Sequence, residues 1–247
     1  MYELFTAIGS GKGDVRYLVQ LPPEYDPLKR YPTILTLNGA GFSPEMQLDY
    51  WAGGLTGEDE GARVRRGQAM RHGYITIAVD WLEPHQFDYE FSATEHQKVM
   101  SVYRDALRRL AIDTDRVFLT GHDIGSTAAW DIALAHPDLW AGVIPILPEA
   151  DKYVKFYSKN AEYLSWYFVC GELDGDKIKR NAYEFDRYLK PAIDTTVVEL
   201  LGRGHEPFTD EIQRLFDWMG RKSRPTTPPD EFEVHAMRPW DNYFWWT

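Results

Sequence analysis

The sequence predicts an α/β fold in three layers, with a mostly parallel central sheet flanked by helices on both faces. Two observations support this prediction. Apolar runs such as "TILTL" and "YITIAV" are continuous rather than alternating, as in strands that are buried on both faces. Segments with helical spacing of apolar residues separate these runs, and this alternation is typical of a parallel sheet with crossover helices. The 247 residues suffice for one large domain of this kind.

The first half of the chain supplies three predicted strands and one predicted helix. Residues 15–22 are rich in β-forming residues and end at a proline pair. Residues 31–42 and 73–81 are apolar runs that end in turns, as central strands do. Between them, residues 58–73 have a helical composition that ends at a glycine.

The second half opens with the longest helical pattern, residues 92–112, which Ser92 or Thr94 could cap. The remaining predicted elements are strands within residues 116–121, 141–147, 166–176 and 195–208, and helices over residues 126–137, 176–190 and 210–219. Residues 1–220 are therefore expected to form one domain. Residues 221–247 differ, because a charged, Pro-rich stretch leads to the aromatics Phe244, Trp245 and Trp246. This tail either packs back on the domain or begins a further one.

Charge and composition exclude several functions. A formal net charge of −11 disfavours nucleic acids and anionic membranes as partners. The single cysteine, Cys170, excludes an intramolecular disulfide and a Cys-rich metal site. The chain begins without a signal-peptide pattern, and no run approaches the roughly 18 apolar residues of a membrane span. We therefore expect a cytoplasmic protein, and the oligomeric state stays open.

Three candidate reactive residues follow predicted strands, where parallel sheets carry their reacting groups. Asp123 lies between Gly121 and Gly125 in a strand–turn–helix element that projects its central side chain above the sheet. Asp174 follows a buried strand, and His205 lies in the glycine-rich loop "GRGHE". Asp123 could instead be a residue that only caps the following helix. Glu172 or Asp176, rather than Asp174, could be the reactive carboxylate after this strand.

Other residues of these loops are candidates for binding. The turn that includes Ala40 and Gly41 could direct a backbone N–H to the same point as the N–H of Ile124, which would form an oxyanion hole. Aromatic residues near strand ends are candidates for substrate contact, namely Tyr50, Trp51 and Trp81. His72, His85, His136 and His235 show no ligand spacing with carboxylates, so we expect no metal site, and we expect no cofactor.

These motifs resemble the α/β-hydrolase superfamily over residues 15–220. They look most similar to its cap-free esterase and prolyl-oligopeptidase-like branch, which includes dienelactone hydrolases and depolymerase- or feruloyl-esterase-like enzymes. "YPTILTLNGAG" resembles the "YP…LHGxG" segment of that branch, and residues 113–146 resemble its elbow region. The resemblance implies Asp123 at the nucleophile position, Asp174 as the acid and His205 as the base. It also implies hydrolysis of an ester in a small molecule or polymer.

Two positions depart from that pattern, because Asp123 replaces the usual serine and Asn38 replaces a common histidine. An aspartate that attacked an acyl carbon would form an anhydride, which is higher in energy than an ester. Asp123 could instead attack a carbon–halogen bond or an epoxide, or act as a general base for water. The dehalogenases and epoxide hydrolases of this superfamily generally insert a helical cap before the strand that precedes the acid. Here the link at that place has only about 20 residues, which leaves no room for a cap. A non-catalytic module is the remaining alternative.

Overall fold

The computed structural model describes residues 1–9, 11, 13–56, 64–191, 193–242 and 244–245. The strands are β1 (Tyr2–Ala7), β2 (Asp14–Gln20), β3 (Tyr31–Leu37), β4 (Leu55–Thr56), β5 (Val64–Arg65), β6 (Ile75–Val79), β7 (Ile112–His122), β8 (Gly142–Ile146), β9 (Trp166–Gly171) and β10 (Thr195–Leu200). Eight of them form one sheet in the order β1-β2-β6-β3-β7-β8-β9-β10, in which β1 and β2 are antiparallel to their neighbours and the others are parallel. The strands β4 and β5 pair with each other in antiparallel orientation in a separate sheet.

Helices cover both faces of the sheet and confirm the predicted three-layer α/β fold. They are α1 (Pro44–Ala52), α2 (Gln68–His72), α3 (Ala93–Arg109), α4 (Ile124–Ala135), α5 (Tyr153–Phe156), α6 (Lys177–Leu189) and α7 (Ile212–Met219), with two 3₁₀ helices at Ser158–Tyr163 and Thr209–Glu211. Helices α3, α4 and α6 pack on one face and α1, α2 and α7 on the other. Adjacent residues of β3 explain the continuous apolar runs, since Ile34 enters one layer of the core and Leu35 the other.

Several predicted boundaries differ from the observed ones. The helix predicted over residues 58–73 is wrong for most of its described part, because only α2 is helical and residues 64–65 form β5. Residues 58–63 lie outside the described residues. Ser92 rather than Thr94 caps α3, in a reciprocal arrangement with Glu95: the Ser92 N–H donates to Oε2 of Glu95 at 2.8 Å. The strand β1 and the helix α1 were not predicted.

The C-terminal tail packs back on the domain through buried polar contacts. Arg238 donates to Asp131 on α4 at 2.7 Å and to Asp241 at 2.6 Å, and all three side chains are at most 2% exposed. Phe244 is buried, whereas Trp246 lies outside the described residues. The described part of residues 221–247 has neither a helix nor a strand. None of the described helices combines the length and apolar composition needed to cross a membrane.

Candidate active site

A sharp turn between β7 and α4 carries Asp123. Its backbone has φ 52° and ψ −124°, a conformation that is strained for any residue except glycine. The flanking glycines are needed for close packing: a Cβ on Gly121 would lie 2.2 Å from the carbonyl oxygen of Gly125, and one on Gly125 would lie 2.5 Å from that of Leu37. The Asp123 side chain makes no capping hydrogen bond to α4, so capping does not explain this residue.

The structure brings Asp123, Asp174 and His205 together at the carboxyl ends of β7, β9 and β10. Nδ1 of His205 lies 3.0 Å from Oδ1 of Asp174, which is a hydrogen bond. Nε2 of His205 lies 3.9 Å from Oδ1 of Asp123, beyond direct hydrogen bonding but within reach of one bridging water. The His205 side chain is 45% exposed, whereas those of Asp123 and Asp174 are 21% and 11% exposed.

Lys177 is a functional candidate that was not predicted. Its Nζ lies 3.0 Å from Oδ1 of Asp123 and 3.4 Å from Oδ2 of Asp174, so one ammonium group bridges both carboxylates. Lys177 is the first residue of α6 and follows Asp174 by three positions. Asp174 precedes the helix, and this short spacing in the sequence was the one available signal.

The loop after β3 lies against the elbow turn. A Cβ on Gly39 would meet the Cβ of Asp123 at 3.0 Å, and Gly41 has φ 75°. Asn38 holds this loop, since its Nδ2 donates to the carbonyl oxygen of Phe42 at 2.5 Å. Among the described residues, the backbone N–H groups of Ala40 and Ile124 have no backbone acceptor. The oxyanion hole of Ala40, Gly41 and Ile124 stays a prediction.

A cavity of about 240 Å³ opens beside Asp123 and His205. Its other lining residues are Phe42, Met46, Gln47, Tyr50, His122, Leu147, Glu206, Pro207 and Thr209. Tyr50 lines this cavity, and its contact with a substrate stays a prediction. Trp51 and Trp81 do not line it: both are fully buried, and their Nε1 atoms donate to Thr36 and to the Asn38 carbonyl, each at 3.2 Å. They support the strand ends from within the core and have no exposed surface for a substrate.

His122 lies under the cavity as a neutral imidazole. Burial lowers its pKa to about 4. Nε2 of Gln47 lies 2.8 Å from Nδ1 of His122 and can only donate, so Nδ1 accepts. The proton therefore resides on Nε2, which donates to the carbonyl oxygen of Pro207 at 3.4 Å. This pair ties the elbow to the loop that carries His205.

The sheet topology and the elbow turn define an α/β-hydrolase fold. One similar solved structure is a thermostable esterase, with 16% sequence identity and a TM-score of 0.65 over 90% of this chain and 63% of that chain. A second is an S-formylglutathione hydrolase from Staphylococcus aureus, with 14% identity and a TM-score of 0.66 over 88% of this chain and 97% of that chain. A third is a ferulic acid esterase from the anaerobic fungus Anaeromyces mucronatus, with 14% identity and a TM-score of 0.65 over 90% of this chain and 89% of that chain. The chain thus spans less than two thirds of the thermostable esterase. At these identities the likeness establishes the fold. No protein-family model and no curated protein matches the chain.

Proposed function

We propose that the protein is a hydrolase that cleaves ester-type bonds at Asp123, His205 and Asp174 without a cofactor. One observation carries the proposal: Asp174 orients His205 so that its second nitrogen faces Asp123 at the mouth of an apolar cavity. A histidine held in this way is suited to general-base catalysis. The esterases of similar fold are consistent with this chemistry.

The proposed reaction proceeds through direct attack by water, since an acyl-aspartate would be an anhydride. A water between Nε2 of His205 and Oδ1 of Asp123 gives its proton to His205, and its oxygen attacks the acyl carbon. The carbonyl oxygen becomes negatively charged and accepts hydrogen bonds from the N–H groups of Ala40 and Ile124. His205 then protonates the departing alkoxide. Lys177 fixes the Asp123 carboxylate that positions the water.

The cavity suggests the kind of ester. A volume of about 240 Å³ accommodates a small acyl group, and Phe42, Met46 and Leu147 offer it apolar contacts. The exposed position of His205 leaves room for a larger alcohol portion outside the cavity, as in an ester of a polymer. We therefore expect short apolar acyl chains to be preferred.

A panel of p-nitrophenyl esters of increasing acyl length tests the proposal. The parent should turn over the short esters, and His205→Ala should lower kcat/KM by about 10²–10⁴-fold. The exposed His85→Asn variant is the matched control and should retain activity. In ¹⁸O-labelled water, a single turnover should label the product acid and leave Asp123 unlabelled. An inactive parent that gains activity in Asp123→Ser would refute the proposal and favour a non-catalytic module.

A second candidate is attack by Asp123 on an alkyl halide or epoxide. It is favoured by the position of this carboxylate on the wall of a mostly apolar cavity, and its product would be an ordinary ester. It is disfavoured by the connection between β8 and β9, where residues 147–165 hold only α5 and one 3₁₀ helix and thus no cap. Halide release with ¹⁸O entering Asp123 during a single turnover would establish this alternative, and no release across a panel of haloalkanes and epoxides would exclude it.

A further inference from the structure

Two histidines and one carboxylate from distant segments meet beneath the C-terminal tail. His96 belongs to α3, His136 follows α4 directly, and Asp241 belongs to the tail. One ligand atom from each lies within 4.8 Å of the other two, and all three residues are buried. None of them lines the cavity of the candidate active site.

Several polar atoms of this cluster have no hydrogen-bond partner among the described residues. Both ring nitrogens of His96 are in this state although the residue is only 2% exposed, and so is Oδ1 of Asp241. Buried polar groups in native proteins are almost always satisfied by protein, water or an ion. We therefore expect an ion or a molecule at this cluster that binds a ring nitrogen of His96 and Oδ1 of Asp241 at the same time.

The charges around the cluster favour a cation as that occupant. Asp131 and Asp241 bring two carboxylates into the core, and among the described residues only the cation Arg238 pairs with them. Arg238 uses the Oδ2 atom of each, and Tyr89 and Tyr157 donate their hydroxyl protons to the same two oxygens. In the described part of the chain, neither Oδ1 atom has a hydrogen-bond partner. Two carboxylates face one guanidinium, so one negative charge is uncompensated when both carboxylates are ionised.

We propose that His96, His136 and Oδ1 of Asp241 bind a divalent transition-metal ion, with Zn²⁺ as the expected occupant, and that this ion fastens the tail to the domain. Imidazole nitrogens and carboxylate oxygens are ordinary zinc ligands at about 2.0–2.2 Å, which places ligand atoms about 3.3 Å apart in a tetrahedral site. The present separations of up to 4.8 Å close to that value through a small inward movement of the side chains. The proposal departs from the expectation that the chain has no metal site.

Metal analysis of the wild-type protein tests the proposal directly. Protein is prepared with zinc in the medium and passed through gel filtration. Inductively coupled plasma mass spectrometry should then find about one Zn²⁺ per chain. Removal by a chelator should lower the melting temperature by about 5–10 °C, and added Zn²⁺ should restore it. Replacement by Co²⁺ should give the visible absorption of a tetrahedral site. Less than about a tenth of an equivalent of zinc, with no cobalt absorption, would overturn the proposal and leave buried water as the occupant.

Matched variants locate the site. His96→Asn and Asp241→Asn should each lose the bound zinc, and His85→Asn, at an exposed histidine, should keep it. Asp241→Asn preserves the size of the side chain, so it reports on the ligand if His96→Asn fails to fold. Full zinc content in a folded Asp241→Asn protein would refute this ligand set. Esterase activity is a separate readout, because the proposed metal lies outside the candidate active site.

Discussion

Lys177→Met should lower kcat/KM on the best ester. In the parent, the Lys177 ammonium lies beside the two carboxylates that face His205. Its removal leaves the Asp123 carboxylate without the cation that fixes it. In the proposed reaction this carboxylate positions the attacking water, so the water would be held less well in the orientation for attack.

The size of the loss follows from the ion pair between Lys177 and Asp123. Nζ of Lys177 lies 3.0 Å from Oδ1 of Asp123, and the two side chains are 23% and 21% exposed. An ion pair that solvent still reaches is worth about 0.2–1 kcal/mol. If this energy is lost from the transition state, kcat/KM falls by about 1.4–5-fold.

Two measurements check the prediction, and one does not depend on turnover. The first is kcat/KM on the best ester, and the second is the free energy of unfolding in urea, which should fall by a similar amount. Lys179→Met, which removes an exposed lysine of the same helix, should leave both values unchanged. The effect should also shrink at high salt, since the site is partly open to solvent. A kcat/KM in Lys177→Met equal to that of the parent would refute the reasoning.

Three further substitutions test the fold around the site. Arg238→Met leaves two buried carboxylates without their counter-ion and should lower the free energy of unfolding by about 3–5 kcal/mol, or the melting temperature by about 10 °C. Gly125→Ala should prevent the elbow from forming and yield insoluble protein, whereas Gly9→Ala, with open space around its Cβ, should fold normally. His122 has a folded-state pKa of about 4, below its ordinary value of 6.5, so its contribution to stability is complete above pH 6.5 and is lost as the pH falls through 4. His122→Gln should remove this part of the acid sensitivity, about 3 kcal/mol in denaturant titrations at pH 7 and 4.

Much of the architecture could be predicted because its signals are local. Residues 33–37 are apolar at every position but the threonines, and this alone indicates a strand covered on both faces. The glycines around Asp123 mark the elbow, and the strand ends bring Asp174 and His205 to the same edge of the sheet. Proximity of the three residues was therefore predictable from topology without any knowledge of side-chain orientation.

Features that depend on contacts between distant segments were not predictable. Trp81 lies just after a strand, as expected, whereas Trp51 lies in α1. The buried orientation of both is set by Thr36 and Asn38, which accept their hydrogen bonds. Lys177 has only its spacing of three from Asp174 to mark it, and its contact with Asp123 joins distant segments of the chain. His96 has no ligand spacing with any neighbour in sequence, because its partners come from the end of α4 and from the tail. Periodic patterns in a sequence predict helices and strands, but contacts between residues far apart in the chain leave no periodic pattern.

Asp123→Gly separates a structural reason for Asp123 from a chemical one. The backbone at φ 52° and ψ −124° costs a residue with a side chain about 1–3 kcal/mol, and glycine avoids that cost. Against this gain stand a partly exposed ion pair worth about 0–1 kcal/mol and about 0.5–1 kcal/mol of added freedom in the unfolded chain. The free energy of unfolding in urea should therefore be unchanged or rise by about 1 kcal/mol.

The control is Asp217→Gly on the exposed side of α7, where the loss of helix propensity should lower stability. If Asp123→Gly is at least as stable as the parent and inactive, then a strained aspartate is kept at a position where glycine would serve the fold equally well. Strained backbone conformations of this kind cluster at functional sites, so this result would support a chemical role for Asp123. If the variant instead loses more than about 1 kcal/mol, the carboxylate holds the turn through Lys177, and the strain is no longer an argument for a chemical role of Asp123.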